Sequence, residues 1–276
     1  MKMIPEEEWT NKCAETAAQL RLQMMPFITP ISRAHDDGGE HVGTGGYVDF
    51  GSRRLLLTNK HVADNVGVLA HKFYDSEQYF AINRSFQTEP HPTDLAIAEI
   101  DQAWDATDHS AMAFPKHRMA TSHAPIKREL LFMMGFAGKR SYYSPFDNFL
   151  VTNGTPYLSQ EFDPTLEPAE NARTIRSQSF DPRFHFALHW RPEMAVTLDQ
   201  NRKEIPADPH GFSGSLVWNT RRLEFDNKQA DWTPGVARLT GIVWGWDTSD
   251  RLLFVTKIEH IITFLKTCIE TVGDNT

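Results

Sequence analysis

Cysteine is nearly missing from this chain: Cys13 and Cys268, one toward each end, are the two it has. A disulfide framework is therefore excluded, and two distant thiols suit a reducing compartment; they could pair only if the ends met. No run of about 18 apolar residues occurs, so no membrane-spanning helix is expected and no membrane partner. The opening Met1-Lys2-Met3-Ile4-Pro5-Glu6-Glu7-Glu8-Trp9 is acidic where an export signal would be apolar, so a cytoplasmic location is expected. Positive charge is also short, with 28 Lys and Arg against 36 Asp and Glu and a net charge of −8. Such a surface has nothing to offset phosphate repulsion, which argues against a nucleic-acid partner. The basic pairs Lys127-Arg128, Lys139-Arg140 and Arg221-Arg222 then read as solvated turns. Repeats with a period of about 20–50 residues are lacking too.

What is present suffices for a proper core: 40% of the 276 residues are hydrophobic and seven are tryptophan. Pro5 followed by Glu6, Glu7 and Glu8 opens a helix, with Trp9, Cys13, Ala17, Leu20 and Met24 at helical steps and Pro26 as its stop. From there the texture changes to short apolar runs divided by Gly, Pro, Asp and Asn, the pattern of a β protein. Residues 41–50 and 54–58 read as a hairpin over Gly51-Ser52, 59–64 as one helical turn, and Phe73 to Phe86 as a strand pair. Leu95 to Ile100 reads as a buried strand, 101–122 as a polar link, and 158–182 as a long surface loop. Phe184, Phe186, Leu188 and Trp190 alternate at strand period, leaving His185 and His189 on an exposed face. Residues 239–246 and 252–255 form a last hairpin, and Ile258 to Ile269 an amphipathic helix.

Three polar residues stand where chemistry could be held. Ser213 lies in Gly211-Phe212-Ser213-Gly214, just before the apolar run Leu216-Val217-Trp218. A serine hydroxyl needs a base and donors for the oxyanion it generates. Glycine two residues earlier lets the N–H groups of Gly211 and Ser213 converge on one spot. His61 follows the apolar strand and Thr58, and Asp94 opens the buried strand at Leu95. An aspartate there either caps a turn or orients an imidazole. The chain order His61, Asp94, Ser213 matches the His, Asp, Ser order of the serine-protease triad.

Thr58-Asn59-Lys60-His61-Val62-Ala63, Thr93-Asp94-Leu95-Ala96-Ile97 and Gly211-Phe212-Ser213-Gly214-Ser215 resemble the three signature segments of trypsin-like (chymotrypsin-fold) serine peptidases. The similarity is greatest to their intracellular bacterial members. Gly43-Thr44-Gly45-Gly46 and Gly241-Ile242-Val243 fit the family's strand before the histidine and its pocket strand. The resemblance implies a mostly β fold of two antiparallel six-stranded barrels, flanked by an N-terminal helix (1–25) and a C-terminal one. The first barrel would span 26–120 with His61 and Asp94, and the second 121–276 with Ser213, forming one peptidase unit. It also implies an oxyanion hole at the N–H groups of Gly211 and Ser213, no metal or other cofactor, a protein or peptide substrate, and room for a regulatory partner protein.

The departures bear on specificity. Phe212 stands where secreted animal relatives carry aspartate, and Ser215 where glycine is usual. The substrate pocket would draw on Ala207, Asp208, His210, Trp244, Gly245 and Trp246, with the tryptophans narrowing it. Ala207 replaces the acid that selects Lys or Arg, although Asp208 is adjacent. Three alternatives stay open. An α/β-hydrolase could use Ser213, Asp247 or Asp250, and His260, but it lacks the final motif glycine. A zinc site at His185 and His189 lacks a His-Glu-x-x-His pattern. A catalytically silent peptide-binding module of the same fold is the third.

Overall fold

The computed structural model describes residues 5–35, 38–51, 53–82, 85–138, 141–144, 149–165, 175, 177–194 and 208–273. Ala207, the Lys139-Arg140 pair and 166–174 of the expected loop lie outside them. Short apolar runs punctuated by turn residues give sixteen strands among the described residues. The first sheet contains β1 (Ile28–His35), β2 (Gly38–Phe50), β3 (Arg53–Thr58), β4 (Val68–Lys72), β5 (Tyr79–Ala81), β6 (Gln87–Glu89), β7 (Leu95–Glu99) and β8 (Phe114–Pro115). Its order is β5-β4-β1-β2-β3-β7-β6, with β8 added parallel to β2.

The second sheet uses β9 (Leu130–Phe136), then, after a separate ribbon of β10 (Tyr142–Ser144) and β11 (Phe149–Val151), β12 (Gly154–Gln160), β13 (His185–His189), β14 (Leu216–Asn219), β15 (Arg238–Asp247) and β16 (Leu252–Lys257). Its order is β12-β9-β14-β15-β16-β13. The outer strands β12 and β13 are drawn together where Ser159 Oγ and Tyr157 Oη donate to His189 O at 2.7 and 3.1 Å. The mostly β, two-sheet class is thus observed. Six strands form the second sheet, whereas the first has eight; one of these, β8, is added because Phe114 buries against Phe27 (ring centroids 5.2 Å) and lays its segment along β2.

Helices α1 (Glu6–Met24), α2 (Lys60–Ala63), α3 (Asp101–Asp105), α4 (Arg222–Asn227) and α5 (Ile258–Gly273) complete the chain. The first and last flank the strands as expected. Among the described residues of 73–86 there is one short strand instead of two, since Phe73 turns inward among Tyr47, Trp104 and His109. Part of the expected 101–122 link is helical, as α3. Cys13 and Cys268 are not joined in a disulfide, and burial pushes the pKa of each thiol up to about 11. Among the described residues no helix is long and apolar enough to cross a membrane.

Strand β9 is buried at every residue because its two faces feed different cores. Leu131 and Met133 join Tyr157, Trp190, Phe212 and Val217, while Phe132 and Met134 join Leu20, Leu216, Trp218 and Ile261. Helix α1 is part of that second cluster and is also fastened by ion pairs of Lys12 with Asp226 (2.7 Å) and Glu15 with Arg222 (3.3 Å). Trp218 is fully buried between Phe114 and Phe132, contributed by the two sheets. Trp218→Ala is expected to cost about 3–5 kcal/mol, read as a lower midpoint in urea unfolding. A loss under about 1 kcal/mol would contradict this placement of the core.

Candidate active site

Strands β3 and β7 are hydrogen-bonded neighbours, with Thr58 opposite Ala96, so the residues just beyond their ends are brought together. One is His61, in the single turn α2 that follows β3. The other is Asp94, the residue before β7. Asp94 Oδ2 lies 2.5 Å from His61 Nδ1, and Oδ1 accepts the His61 backbone N–H at 3.1 Å. Both carboxylate oxygens therefore hold one residue, fixing ring orientation and placing the proton on Nδ1. Nε2 is left with its lone pair. The imidazole side chain is 48% exposed and the carboxylate 12%, so the ring faces solvent while its partner is shielded.

Asp94 reaches this position with φ = +50°, a left-handed conformation that aspartate tolerates better than most residues. Its carbonyl is held by Asn59 Nδ2 (2.9 Å) and Lys60 N–H (3.3 Å). Asp64, three residues after His61 and an alternative acid for its ring, pairs with Lys60 at the surface instead.

The serine turn is anchored from two sides. Phe212 is buried in the second sheet's core, edge-on to Trp190 (centroids 5.4 Å). From the first sheet, Thr44 on β2 makes three contacts to the turn and its support. Its N–H donates to Ser213 O (2.8 Å), its hydroxyl donates to Gly211 O (2.8 Å), and that hydroxyl accepts Phe136 N–H (3.0 Å). Its carbonyl in turn accepts Thr58 Oγ1 (2.8 Å), next to the histidine turn. The fit permits no side chain at Gly214: with φ at +88°, a Cβ there would lie 1.8 Å from Thr44 O. Gly211, with φ at +91°, is equally constrained, since a Cβ would meet Phe136 O at 2.4 Å and His41 Nε2 at 2.8 Å.

The turn leaves the N–H groups of Gly211 and Ser213 without an acceptor among the described residues. Neighbouring groups are used: Phe212 N–H donates to Pro209 O, Gly214 N–H to Val243 O and Ser215 N–H to Phe212 O. Val62, next to His61, and Ser213 O both pack against Gly43, which brings the two turns to one place. No hydrogen bond joins His61 to Ser213 among the described residues, and such bonds are often long before substrate arrives.

Docking across the sheets is reciprocal, since the turn carrying Asp94 is held by the second sheet. Thr256 Oγ1 donates to Thr93 O (2.9 Å), and His185 Nε2 lies 2.6 Å from Pro92 O. His185 is 1% exposed, correcting the expected solvated face. Its Nδ1 accepts Asp181 N–H (3.0 Å), so Nε2 carries the proton that goes to Pro92. Both ring nitrogens are occupied. Among the described residues no cluster of His, Cys, Asp and Glu could hold a metal ion.

The expected pocket residues are divided. The Trp244 ring packs against His185, Phe254 and His91, while Trp246 is 38% exposed. Gly245 sits between them on β15. Asp208 uses Oδ1 to accept the N–H of His210, which is exposed. His41, Thr44, Thr58 and Asn59 were not identified from the sequence. Twelve histidines and a glycine-rich strand give no sign of which side chain will reach across a sheet interface.

No protein-family model and no curated protein matches this sequence. Solved structures do resemble it in fold. A serine endoprotease from Yersinia pestis superposes with a TM-score of 0.52 at 12% identity, covering 92% of this chain and 66% of that one. The Rv3671c protease from M. tuberculosis, in its active form, gives 0.51 at 14% identity, covering 92% and 85%. The chain thus spans just under two thirds of the Yersinia protein's length. At these identities the likeness establishes the fold, that of chymotrypsin-like proteases.

His41 makes the site's packing sensitive to acid. Its Nε2 lies 2.6 Å from Phe136 O and its Nδ1 is sealed without a partner, so the ring is held neutral. Burial drives its pKa from the ordinary 6.5 down to about 4, against the raising effect of carbonyls of Phe136 and Gly211. The folded value is the lower one, so this contribution to stability is complete above pH 6.5 and lost as pH falls toward 4. The loss per histidine is at most about 1.4 kcal/mol per pH unit. His41→Gln retains a donor for Phe136 O but cannot titrate. Urea unfolding at pH 7 and pH 5 should show a smaller loss in this variant than in the parent; equal losses would refute it.

Proposed function

We propose that this protein is a trypsin-like serine endopeptidase acting through an acyl-enzyme, with Ser213 as nucleophile, His61 as base and Asp94 as its orienting acid. The observation that carries this is the two-point hold of Asp94 on His61 beside a serine turn with two unoccupied N–H groups. Ser213 Oγ attacks the peptide carbonyl carbon while its proton passes to His61 Nε2. The carbonyl oxygen becomes an oxyanion that accepts hydrogen bonds from the N–H groups of Gly211 and Ser213. Collapse breaks the C–N bond as the imidazolium returns the proton to the leaving amine. Water then attacks the acyl group with His61 again as base, releasing the acid and restoring Ser213. The paired Asp94 carboxylate stabilises the imidazolium in both halves.

The substrate is a protein or peptide. A small or flat residue before the cleaved bond suits a wall of Trp244, Gly245 and Trp246 and an Asp208 already used by His210. The intracellular bacterial subtype is supported by the segments around His61, Asp94 and Ser213 and by a cysteine content of two residues far apart in sequence. The missing His61–Ser213 hydrogen bond favours, as the second reading, a silent peptide-binding module. A fluorophosphonate probe separates the two. Wild type should be labelled at Ser213 and hydrolyse peptides, while Ser213→Ala and His61→Ala should each lose about 10⁴-fold or more in kcat/KM without a change in unfolding midpoint. Undiminished cleavage by Ser213→Ala would remove the nucleophile assignment.

Phe212 also bears on activation. An aspartate at this place in secreted relatives takes the ammonium of a freshly cut N-terminus. Phe212 is apolar and buried, and an ammonium beside it would be unpaired. Active protein should therefore retain α1, with its ion pairs to α4. Intact-mass measurement of probe-labelled protein should find the full chain. Label confined to a species beginning near residue 26 would overturn this.

A further inference from the structure

A cavity of about 410 Å³ opens into the first sheet, lined by His71, Phe80, Ile82, Glu99, Ile100 and Gln102 among others. Strand β7 separates it from the catalytic turn. Asp94 precedes the strand, Glu99 ends it, and five residues at ~3.3 Å each put the two ends roughly 17 Å apart. The volume lies in the range usual for small-molecule sites, about 300–1,000 Å³.

One buried polar group in its wall has a ring nitrogen left over. His71 is 1% exposed, and its Nδ1 lies 2.9 Å from the hydroxyl of Tyr47, which is fully buried. The alternative acceptor for that hydroxyl, Lys72 O, is at 3.3 Å and already takes Thr29 Oγ1 at 2.8 Å. The shorter contact assigns the Tyr47 proton to Nδ1, which leaves the imidazole proton on Nε2. That nitrogen has no hydrogen-bond partner among the described residues, yet it is not one of the unpartnered atoms sealed in the core. His71 is itself one of the residues that line the cavity. Burial lowers the imidazole to about 4, so the wall presents a neutral N–H donor at ordinary pH.

The remaining lining defines the ligand. Phe80, Ile82 and Ile100 provide apolar surface, and Gln78 and Gln102 provide amides. The acid in the wall, Glu99, is paired with Arg53 at 2.6 Å. An anion would meet that carboxylate, and a cation would have to compete with Arg53 for it. We propose that the cavity binds a small, uncharged ring compound whose carbonyl oxygen accepts the His71 Nε2–H while its ring lies against Phe80 and Ile100. Such a site is distinct from the serine turn and has no part in the hydrolysis proposed above.

Benzamide is a suitable probe, titrated into full-length protein carrying ¹³C-methyl alanine. Ala81, Ala103 and Ala106 line the cavity, and their methyl signals should shift saturably. Ala106 is exposed at the end of α3, so Ala106→Trp plugs the opening from outside the core and should abolish the shifts at Ala81 and Ala103. His71→Phe keeps a ring but removes the donor, and should weaken binding about tenfold. No saturable shift at these alanines, shifts undiminished in Ala106→Trp, or unchanged affinity in folded His71→Phe would each overturn the proposal. Ser213 lies outside the cavity, so the result is read independently of peptidase activity.

Discussion

Each sheet holds the turn that the other sheet supplies to the site. Thr44 is the centre of one half of this interlock: it hydrogen-bonds the carbonyls of Gly211 and Ser213 and the N–H of Phe136, and receives Thr58. Thr256 and His185 form the other half, gripping Thr93 and Pro92. A hydrogen bond of this kind contributes about 1 kcal/mol net, but leaving one partner buried and unpaired costs about 1–3 kcal/mol. Sliding the sheets apart would orphan several such groups together. The relative placement of Asp94, His61 and Ser213 is thus set by many small terms that are lost jointly, which is what a site needing sub-ångström placement requires.

Apolar packing completes what these bonds begin. Phe212 anchors the serine turn through Trp190 and the second sheet's core, a contact that involves no charge and no partner group. A buried carboxylate at the same place would need an ammonium to be tolerable, and would make the turn's order conditional on that ammonium. Phenylalanine removes the condition. The N–H groups of Gly211 and Ser213 have no acceptor among the described residues, while the adjacent N–H groups of Phe212, Gly214 and Ser215 each donate to a carbonyl.

Much of this was legible in the chain because it depends on local rules. Pro5 and the following glutamates mark α1, alternating apolar residues mark β13, and the glycines around Ser213 mark a turn requiring positive φ. His61 and Asp94 could be paired by order and setting, through the resemblance. What could not be read depends on contacts distant in sequence. Phe73 was placed in a strand by its composition, but a cluster with Tyr47, Trp104 and His109 draws it inward. His185 was placed on a wet face by alternation, but β13 is covered on both faces, and the carbonyl of Pro92, 93 positions away in sequence, uses its proton. Thr44 reads as one small residue among glycines until Ser213 is folded against it.

The proposed mechanism asks one of twelve histidines to act as a base, and the buried ones are poorly placed for that role. His41 donates to Phe136 and its other nitrogen is sealed; His185 has both nitrogens engaged; His71 gives one to Tyr47. Burial lowers the pKa of all three, so none takes up a proton easily near neutral pH. His123 is stacked on Phe186 and bonded to Thr240 and Glu161, again with no nitrogen to spare. His61 differs in three respects: its ring faces solvent, a shielded carboxylate fixes its tautomer, and its Nε2 is unengaged. A base must gain a proton and give it up in one cycle, so it needs stabilisation of its charged form without burial of its reacting nitrogen. Under the proposed mechanism Asp94 would supply the stabilisation from behind the ring, and the ring's exposure to solvent would supply the access.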